Sequence, residues 1–299
     1  MSLDVIIIGG SYAGLAAALT LARTRRRILI ADTGLRRNRF ASSSHGFLTQ
    51  DGADPGEILR KAREQVLAYN TVRWHDAEAI SAEPTGRGFR VEMRGAGPQE
   101  ARRLVLASGV VDSLPQIPGL AERWGRRVFH CPYCHGYELN QGRIGLLATS
   151  AAAMHLALLL PDWGKTTLFL NGAFEPDAEQ LSTLNARGVA LDRRPIARIE
   201  GELELVMKDG GVERLDGLFT MTRVEIVSRI PAQLGCEFDD SPIGRIVRTD
   251  AMKATTVAGV YACGDIARAG GSVALAVGDG ALAGAAVHQS LIFGTPAVA

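Results

Sequence analysis

The chain has 299 residues, 46% of them hydrophobic, with 34 glycines and a formal net charge of +1. That length allows two domains with separate cores, and the balanced charge gives no case for nucleic acid or an anionic membrane surface. No apolar run approaches the ~20 residues that span a bilayer.

Met1-Ser2-Leu3-Asp4 lacks the basic start of a secretory signal, and the apolar run Val5–Ile8 is too short for one. The chain is therefore expected in the cytoplasm, where structural disulfides are rare. Arg25-Arg26-Arg27 reads as a solvated helix end rather than a binding patch.

The first legible segment runs from Asp4 to Arg23. A β-branched apolar run stops at Gly9 and Gly10, and small and apolar residues then recur at helical spacing. This predicts a buried parallel strand, a tight turn and a helix packed close on the sheet. Gly9 permits the turn and Gly14 the close helix approach. Ser11 takes the second glycine position of Gly-x-Gly-x-x-Gly, where backbone meets a pyrophosphate. The helix start then faces that phosphate with free N–H groups. The next strand, Arg27–Ala31, ends at Asp32, placed to accept hydrogen bonds from a ribose.

Arg36 to Asp51 reads as a long polar loop, and Asp54-Pro55-Gly56 starts a helix running to about Tyr69. Thr71–His75, Phe89–Met93 and Arg103–Ala107 read as strands of a small sheet. Ala107-Ser108-Gly109 is a turn returning the chain beside the first glycine loop, and Pro115–Gly119 is a linker.

His130-Cys131-Pro132-Tyr133-Cys134-His135-Gly136 is the chemical centre of the sequence. Two cysteines three apart can close a disulfide and reopen as a dithiol, passing two electrons, and this spacing usually stabilises one thiolate. His130 and His135 offer an acid or base near each sulfur. By pattern alone, Cys-Pro-Tyr-Cys also occurs in glutaredoxins, Cys-x-x-Cys-His attaches c-type haem, and Cys/His clusters bind zinc. A cytoplasmic setting works against haem, and a single pair works against four-ligand zinc, so no metal is assigned. Cys236 and Cys263 read as packing residues.

A second strand–turn–helix follows as Arg143–Leu147, Ala148-Thr149-Ser150 and Ala151–Leu160, with Thr166–Leu170 the next strand and Leu218–Met221 closing the domain. Its turn has no glycine where the first has three. Ser241–Gly244 is the return linker. Gly259 to Asp265 and the glycine- and alanine-rich Gly270–His288 then form a strand, a turn and a helix.

The order of these motifs resembles the low-molecular-weight thioredoxin reductase family of flavoproteins over essentially the whole chain. The resemblance is carried by Gly9-Gly10-Ser11-Tyr12-Ala13-Gly14, Ala107-Ser108-Gly109, Cys131 to Cys134, Cys263-Gly264-Asp265 and Gly271-Ser272-Val273. It implies an α/β fold of two Rossmann-like three-layer domains. A nicotinamide-nucleotide-type domain, residues 113–242, is inserted into an FAD-binding domain, residues 1–112 and 243–299. FAD would be held by Gly9, Gly10, Ser11, Tyr12, Ala13, Gly14, Asp32, Thr33, Asn38, Ser108, Gly109, Gly264, Asp265, Ser272 and Val273. Asp265 would bind the ribitol or a hydroxyl near the phosphates, and the Val273 N–H would support the pyrimidine end. On residues alone, Asp265 also reads as a simple helix cap. The resemblance further implies that Cys134 lies against the flavin and forms a charge-transfer thiolate, that Cys131 exchanges with substrate, and that the protein is a homodimer.

Two departures from that family matter. His135 stands where thioredoxin reductases have an acid, and a histidine can take as well as give a proton, which suits thiol oxidation. Ala148-Thr149-Ser150 and Leu170–Phe174 lack the glycines and paired arginines that hold NADPH, which argues against NADPH as an efficient reductant. In the counter-reading, Thr149 and Ser150 hydroxyls replace the lost amides, or Arg193-Arg194 swings in to meet the phosphate.

Cys-Pro-Tyr-Cys-His-Gly-Tyr-Glu, together with His45-Gly46-Phe47-Leu48-Thr49-Gln50-Asp51-Gly52, is similar to a side branch: FAD-dependent dithiol oxidases of the gliotoxin and holomycin type, and related reductases fed by ferredoxin. The leading expectation is a dithiol–disulfide oxidoreductase that oxidises a small dithiol at Cys131/Cys134 and passes electrons through FAD to oxygen. One alternative is a thioredoxin-type reductase, driven by NADPH or ferredoxin and acting on a thioredoxin-like protein. The other is a flavin-binding redox carrier or regulator without turnover.

Overall fold

A computed structural model describes residues 3–294. The chain forms two compact units. The first runs to Arg39, covers Phe47–Val111 and resumes at Val224; the second comprises Phe40–Gly46 and Asp112–Arg223.

In chain order, β1 (Leu3–Ile8), α1 (Tyr12–Arg23), β2 (Ile28–Asp32), α2 (Pro55–Leu67), β3 (Val72–Asp76), β4 (Ala79–Thr85), β5 (Gly88–Met93) and β6 (Gln99–Leu106) are followed by the crossing strand β7 (Val111–Ser113). The second unit holds β8 (Val128–Phe129), α3 (Pro132–His135), β9 (Gln141–Leu147), α4 (Ala153–Leu159), β10 (Gly164–Phe169), α5 (Ala178–Ala186) and β11 (Ala190–Asp192). It continues through β12 (Ile196–Glu200), β13 (Glu204–Met207), β14 (Val212–Arg214) and β15 (Gly217–Thr220). The first unit resumes within β16 (Arg223–Glu225) and continues with α6 (Ile230–Gln233), β17 (Phe238–Ser241), β18 (Gly244–Val247), β19 (Val260–Ala262) and α7 (Val273–Phe293).

The first unit is built on a seven-stranded sheet ordered β3-β2-β1-β6-β5-β4, with β19 also pairing β6. β3, β2, β1, β6 and β19 run parallel, and β5 and β4 extend the sheet antiparallel. Alternation along β1 and β2 sends Val5, Ile7, Ile28 and Ile30 to one face, under Ala17, Ala18 and Leu21 of α1 and Ala283 and Val287 of α7. Ile6, Ile8 and Leu29 join Leu104, Leu106, Phe89 and Val91 on the other. Each fully buried aliphatic side chain of this kind contributes ~1.5–3 kcal/mol, which fixes the strand register from which the first glycine turn departs. α1 and α7 pack closely because Gly280 and Gly284 lie on the backbone of Ala13 and Ala17. Asp54 caps α2, accepting from Glu57 N at 2.9 Å, with Pro55 in the first turn.

Two sequence expectations change here. Thr71–His75, Phe89–Met93 and Arg103–Ala107 are not a separate small sheet; they fall in β3, β5 and β6 of this one sheet. Its edge strand β4 escapes the sequence pattern because Ala82 is its one buried residue and it contains Pro84. Ile230 and Cys236 pack into the first unit's core, so residues 224–242 cluster with that unit rather than the second.

The second unit carries a parallel five-stranded sheet, β11-β10-β9-β15-β8. Ile144 and Leu146 face α4 residues Ala153, Leu156 and Ala157. Leu147, Phe169 and Leu218 face Ile196, Leu205 and Met207 of the antiparallel β12–β14 meander. The expected helix Ala151–Leu160 is shorter: Ala151 and Ala152 form a turn before α4, and Pro161 lies in the 3₁₀ turn that follows it. Among the described residues, no helix is long and apolar enough to cross a membrane.

Candidate functional site

In the first unit, β1 ends in a turn that only glycine fits. Gly9 has φ of +104°, and a Cβ there would overlap the Ala107 carbonyl. At Gly14 a Cβ would overlap the Gly9 carbonyl oxygen, so α1 starts directly against the turn. Ser11 is the N-cap residue, and no side chain caps the helix. Gly10 N donates to Asp32 Oδ1 at 2.8 Å, and Gly34 N to Asp32 Oδ2 at 3.0 Å. The Asp32 carboxylate, at the end of β2, therefore sits at the turn. The Ala107–Ser108 backbone lies against Gly9, with Gly109 next at φ of +68°. Ser108 and Thr33 are exposed.

Around this turn a polar cluster assembles from four segments. Asn38 Nδ2 donates to the Tyr12 hydroxyl at 3.1 Å, which donates to the Pro55 carbonyl at 3.2 Å. Burial pushes the Tyr12 phenol up from its ordinary pKa, against the opposing Asn38 hydrogen bond. Arg37 Nη1 pairs with Asp265 Oδ2 at 2.8 Å. Asp265 lies in a 3₁₀ turn, Gly264–Ala267, whose Gly264 packs on Ala13 at φ of +76°. The α7 cap is Ser272, whose Oγ accepts from Leu275 N at 3.2 Å; Asp265 caps no helix. Val273 is the first residue of α7.

Asn38 Oδ1 and Arg36 Nε are buried without a hydrogen-bond partner, a costly condition inside a fold. A backbone cradle with no room for a Cβ, an uncapped helix start, a carboxylate ending β2 and orphaned polar atoms together fit a dinucleotide such as FAD. Arg36 and Arg37 are absent from the set expected from sequence. In the chain they are two more arginines in a polar loop, and only folding sets Arg37 against Asp265, 228 positions away.

In the second unit, Cys131 and Cys134 form a disulfide with Cα atoms 5.3 Å apart. Cys131 caps α3, Pro132 starts it, and Gly136 N closes its turn on the Pro132 carbonyl at 2.7 Å. His135 stacks on Phe129 at 4.4 Å and 15°, and His130 on Trp124 at 5.8 Å and 28°. Trp163 packs onto Gly136, where no Cβ would fit, and meets Tyr133 edge-on at 5.3 Å. His45, from the Phe40–Gly46 segment, pairs through Nδ1 with Glu138 Oε1 at 3.4 Å. In the sequence His45 was one member of a motif without a role; its place in the second unit follows only from the fold.

Both ring nitrogens of His135 are buried without a hydrogen-bond partner. Burial first, then His130 and His45, pushes its pKa from 6.5 down to about 4, and the Cys131 backbone alone favours the protonated ring. The imidazole is therefore neutral near pH 7 while the disulfide is closed. Cys236 and Cys263 are buried, and burial pushes the Cys263 thiol up to about 12, so neither is a nucleophile.

The turn after β9 differs from the one after β1. Ala148 N bonds to Phe169 O at 2.9 Å, Ser150 Oγ accepts from Ala152 N at 3.3 Å, and no side chain caps α4. Asn171 Oδ1 accepts from Ile196 N at 2.8 Å. Arg193 pairs with Glu175 at 2.6 Å, and Arg194 with Asp192 and Glu213 at 2.6 and 2.7 Å.

The profile of the pyridine nucleotide-disulphide oxidoreductase family matches residues 3–280. The chain is 31% identical to "Thioredoxin reductase sirT" of Leptosphaeria maculans, over 95% of this chain and 93% of that protein. Its fold is similar to a crystal structure of the oxidoreductase from Agrobacterium tumefaciens, with TM-score 0.96, 55% identity and coverage of 98% and 99%. It is also similar to the crystal structure of HlmI, with TM-score 0.90, 33% identity and coverage of 97% and 93%. With an N-terminal glycine turn, a closed Cys-x-x-Cys disulfide and a family match across both units, the chain belongs to the pyridine nucleotide-disulphide oxidoreductase family, whose members use a flavin.

Proposed function

We propose that this protein is an FAD-dependent dithiol oxidase. The observation that carries the reading is the closed Cys131–Cys134 disulfide beside a neutral His135 with both ring nitrogens unpartnered. A substrate thiolate attacks Cys131 Sγ, the Cys131–Cys134 bond breaks, and Cys134 leaves as a thiolate. The second substrate sulfur then attacks the first, closes the product disulfide and releases Cys131. The pair gains the two electrons the substrate loses, and His135 takes a proton as negative charge forms on Cys134. Bound FAD would supply a two-electron acceptor for that pair, and oxygen, taking the pair with the two protons released from the dithiol, would leave as hydrogen peroxide.

The first unit is read as the FAD domain. Gly9 to Gly14 would hold the pyrophosphate, Asp32 a ribose, and Asn38, Arg36 and Asp265 the polar middle of the cofactor. Ser272 and Val273, at the start of α7, would support the flavin ring. Cys134 is assigned the flavin side and Cys131 the substrate side, following the family resemblance.

NADPH does not fit the second unit. A dinucleotide turn needs amides unobstructed by side chains. Ala148, Thr149 and Ser150 each bring a Cβ, and Thr149 is β-branched and stiff. Arg193 and Arg194, the basic pair that could swing toward a 2′-phosphate, are both held by carboxylates. Two missing charge-assisted contacts of ~1.5–3 kcal/mol each amount to roughly a hundredfold or more in affinity.

Similarity to the thioredoxin reductase sirT supports a second reading, a thioredoxin-type reductase running the same relay backwards with NADPH or ferredoxin. A cytoplasmic homodimer completes the proposal. The test is aerobic turnover of a small dithiol without added nucleotide, with one peroxide expected per disulfide formed. Dithiol oxidation without peroxide would remove oxygen as the acceptor.

A further inference from the structure

Among the described residues of the second unit, the exposed aromatic side chains are Phe40, Tyr133 and Tyr137. Two of these belong to the redox segment itself. Tyr133 lies between the two cysteines and is 71% exposed; Tyr137 lies three residues after Cys134 and is 86% exposed. Phe40 apart, the other large aromatic rings described in this unit are buried or half-buried, including Trp124, Phe129, Phe169 and Phe219 in the core and Trp163 at its edge. Exposed rings set beside reactive sulfurs therefore call for a partner.

The backbone gives them a common direction. It stays helical from Pro132 through Leu139, because Gly136 links α3 to the following 3₁₀ turn at φ −73° and ψ −37°. Tyr133 and Tyr137 are four residues apart and so share one side of that turn. Cys131, Cys134, His135 and Glu138 follow at spacings of three and four along the neighbouring strip. Tyr133 is also braced, since its ring meets Trp163 edge-to-face, and Trp163 is itself packed on Gly136. A braced phenol ring presents contact area at low entropic cost, and its face favours another flat π-system.

The geometry points to Tyr133 and Tyr137 as the residues that select the substrate, a small dithiol carried on a flat conjugated ring, which stacks on them while its sulfurs reach Cys131. This rests on the dithiol reading of the Cys131–Cys134 pair and adds to it the kind of molecule that bears the thiols. A protein dithiol such as a thioredoxin is the competing occupant. An aliphatic dithiol has no face to stack and reaches the disulfide without help from the rings.

The test uses the flavin-loaded protein without oxygen, mixed separately with 1,2-bis(mercaptomethyl)benzene, dithiothreitol and a reduced thioredoxin. All three can close an internal disulfide, and flavin bleaching reports electron entry. In the double variant Tyr133→Leu/Tyr137→Leu, the rate with the arene dithiol should fall ~10-fold or more, since each ring contact is worth about two- to tenfold. The dithiothreitol rate should stay within ~2-fold of wild type. Tyr133→Phe/Tyr137→Phe keeps both rings and should restore the preference. An equal loss with arene and aliphatic dithiols, a loss confined to thioredoxin, or no loss at all would overturn the assignment. If wild type is bleached by none of the three, the dithiol reading itself falls, and that result is distinct from every failure of the rings.

Discussion

The turn after β1 and the turn after β9 follow the same strand-to-helix path in two parallel sheets, but they are made of different material. The first is built from backbone: Gly9 and Gly14 leave no room for a Cβ, Gly10 N binds Asp32, and Asn38 Oδ1 and Arg36 Nε are buried without a hydrogen-bond partner. The second has no glycine: Ala148, Thr149 and Ser150 each carry a side chain at the bend, and Arg193 and Arg194 are paired with Glu175, Asp192 and Glu213. On the proposed reading, the same architecture keeps its sheet and core while its second turn holds no nucleotide, because packing lives on the strand faces and binding lives in the turn. What the second unit keeps is the disulfide and the histidines around it.

The division of labour breaks hardest at the cysteines. Cys131→Ser and Cys134→Ser should each lower dithiol turnover by several orders of magnitude, since the pair acts as one unit. Only Cys134→Ser should also abolish the long-wavelength absorbance of a thiolate against flavin. Reversal of those spectra would reverse the two roles. In the first unit, Gly14→Leu should yield protein without flavin, read from its visible spectrum, because α1 could no longer approach the turn. The matched change in the second turn, Ser150→Leu, is at an exposed position and should leave flavin content unchanged. A fully yellow Gly14→Leu protein would erase the contrast between the turns.

A smaller effect is expected at His135. His135→Asn should slow reduction of the disulfide by a dithiol roughly a hundredfold, within the usual range for a lost acid–base group. The same residue predicts how stability changes with pH. Its folded pKa is lowered from 6.5 to about 4, so the unfolded chain binds more protons between those values. Stability from keeping the ring neutral is present above pH 6.5 and is lost as pH falls toward 4, by at most ~3 kcal/mol. Denaturant melts at pH 7 and 4.5 should show this loss in wild type and less of it in His135→Asn. The smallest effect belongs to Arg194→Ala, which should leave dithiol turnover unchanged because that side chain already serves Asp192 and Glu213.

These contrasts also mark how far the sequence could be read. The glycine turn, Asp32, the Cys-x-x-Cys pair and both strand–turn–helix units are local patterns, and they were legible because spacing along the chain dictates their geometry. The β12–β14 meander and β4 were not, since strands of three to seven residues carry little periodicity. The pairing of Arg37 with Asp265, and the entry of His45 into the second unit, depend on residues far apart in the chain. The low proton affinity of His135 likewise comes from burial, and its sequence position gives only its identity.

The central claim is that electrons enter from dithiols and not from NADPH. The direct measurement is rapid anaerobic mixing of the flavin-loaded protein with NADPH at near-physiological concentration, beside an identical mixing with a small dithiol. The account predicts that the dithiol bleaches the flavin within the enzyme's own turnover time while NADPH leaves the band essentially untouched over that interval. Bleaching by NADPH at the turnover rate would contradict the account and make the second turn a working nucleotide site.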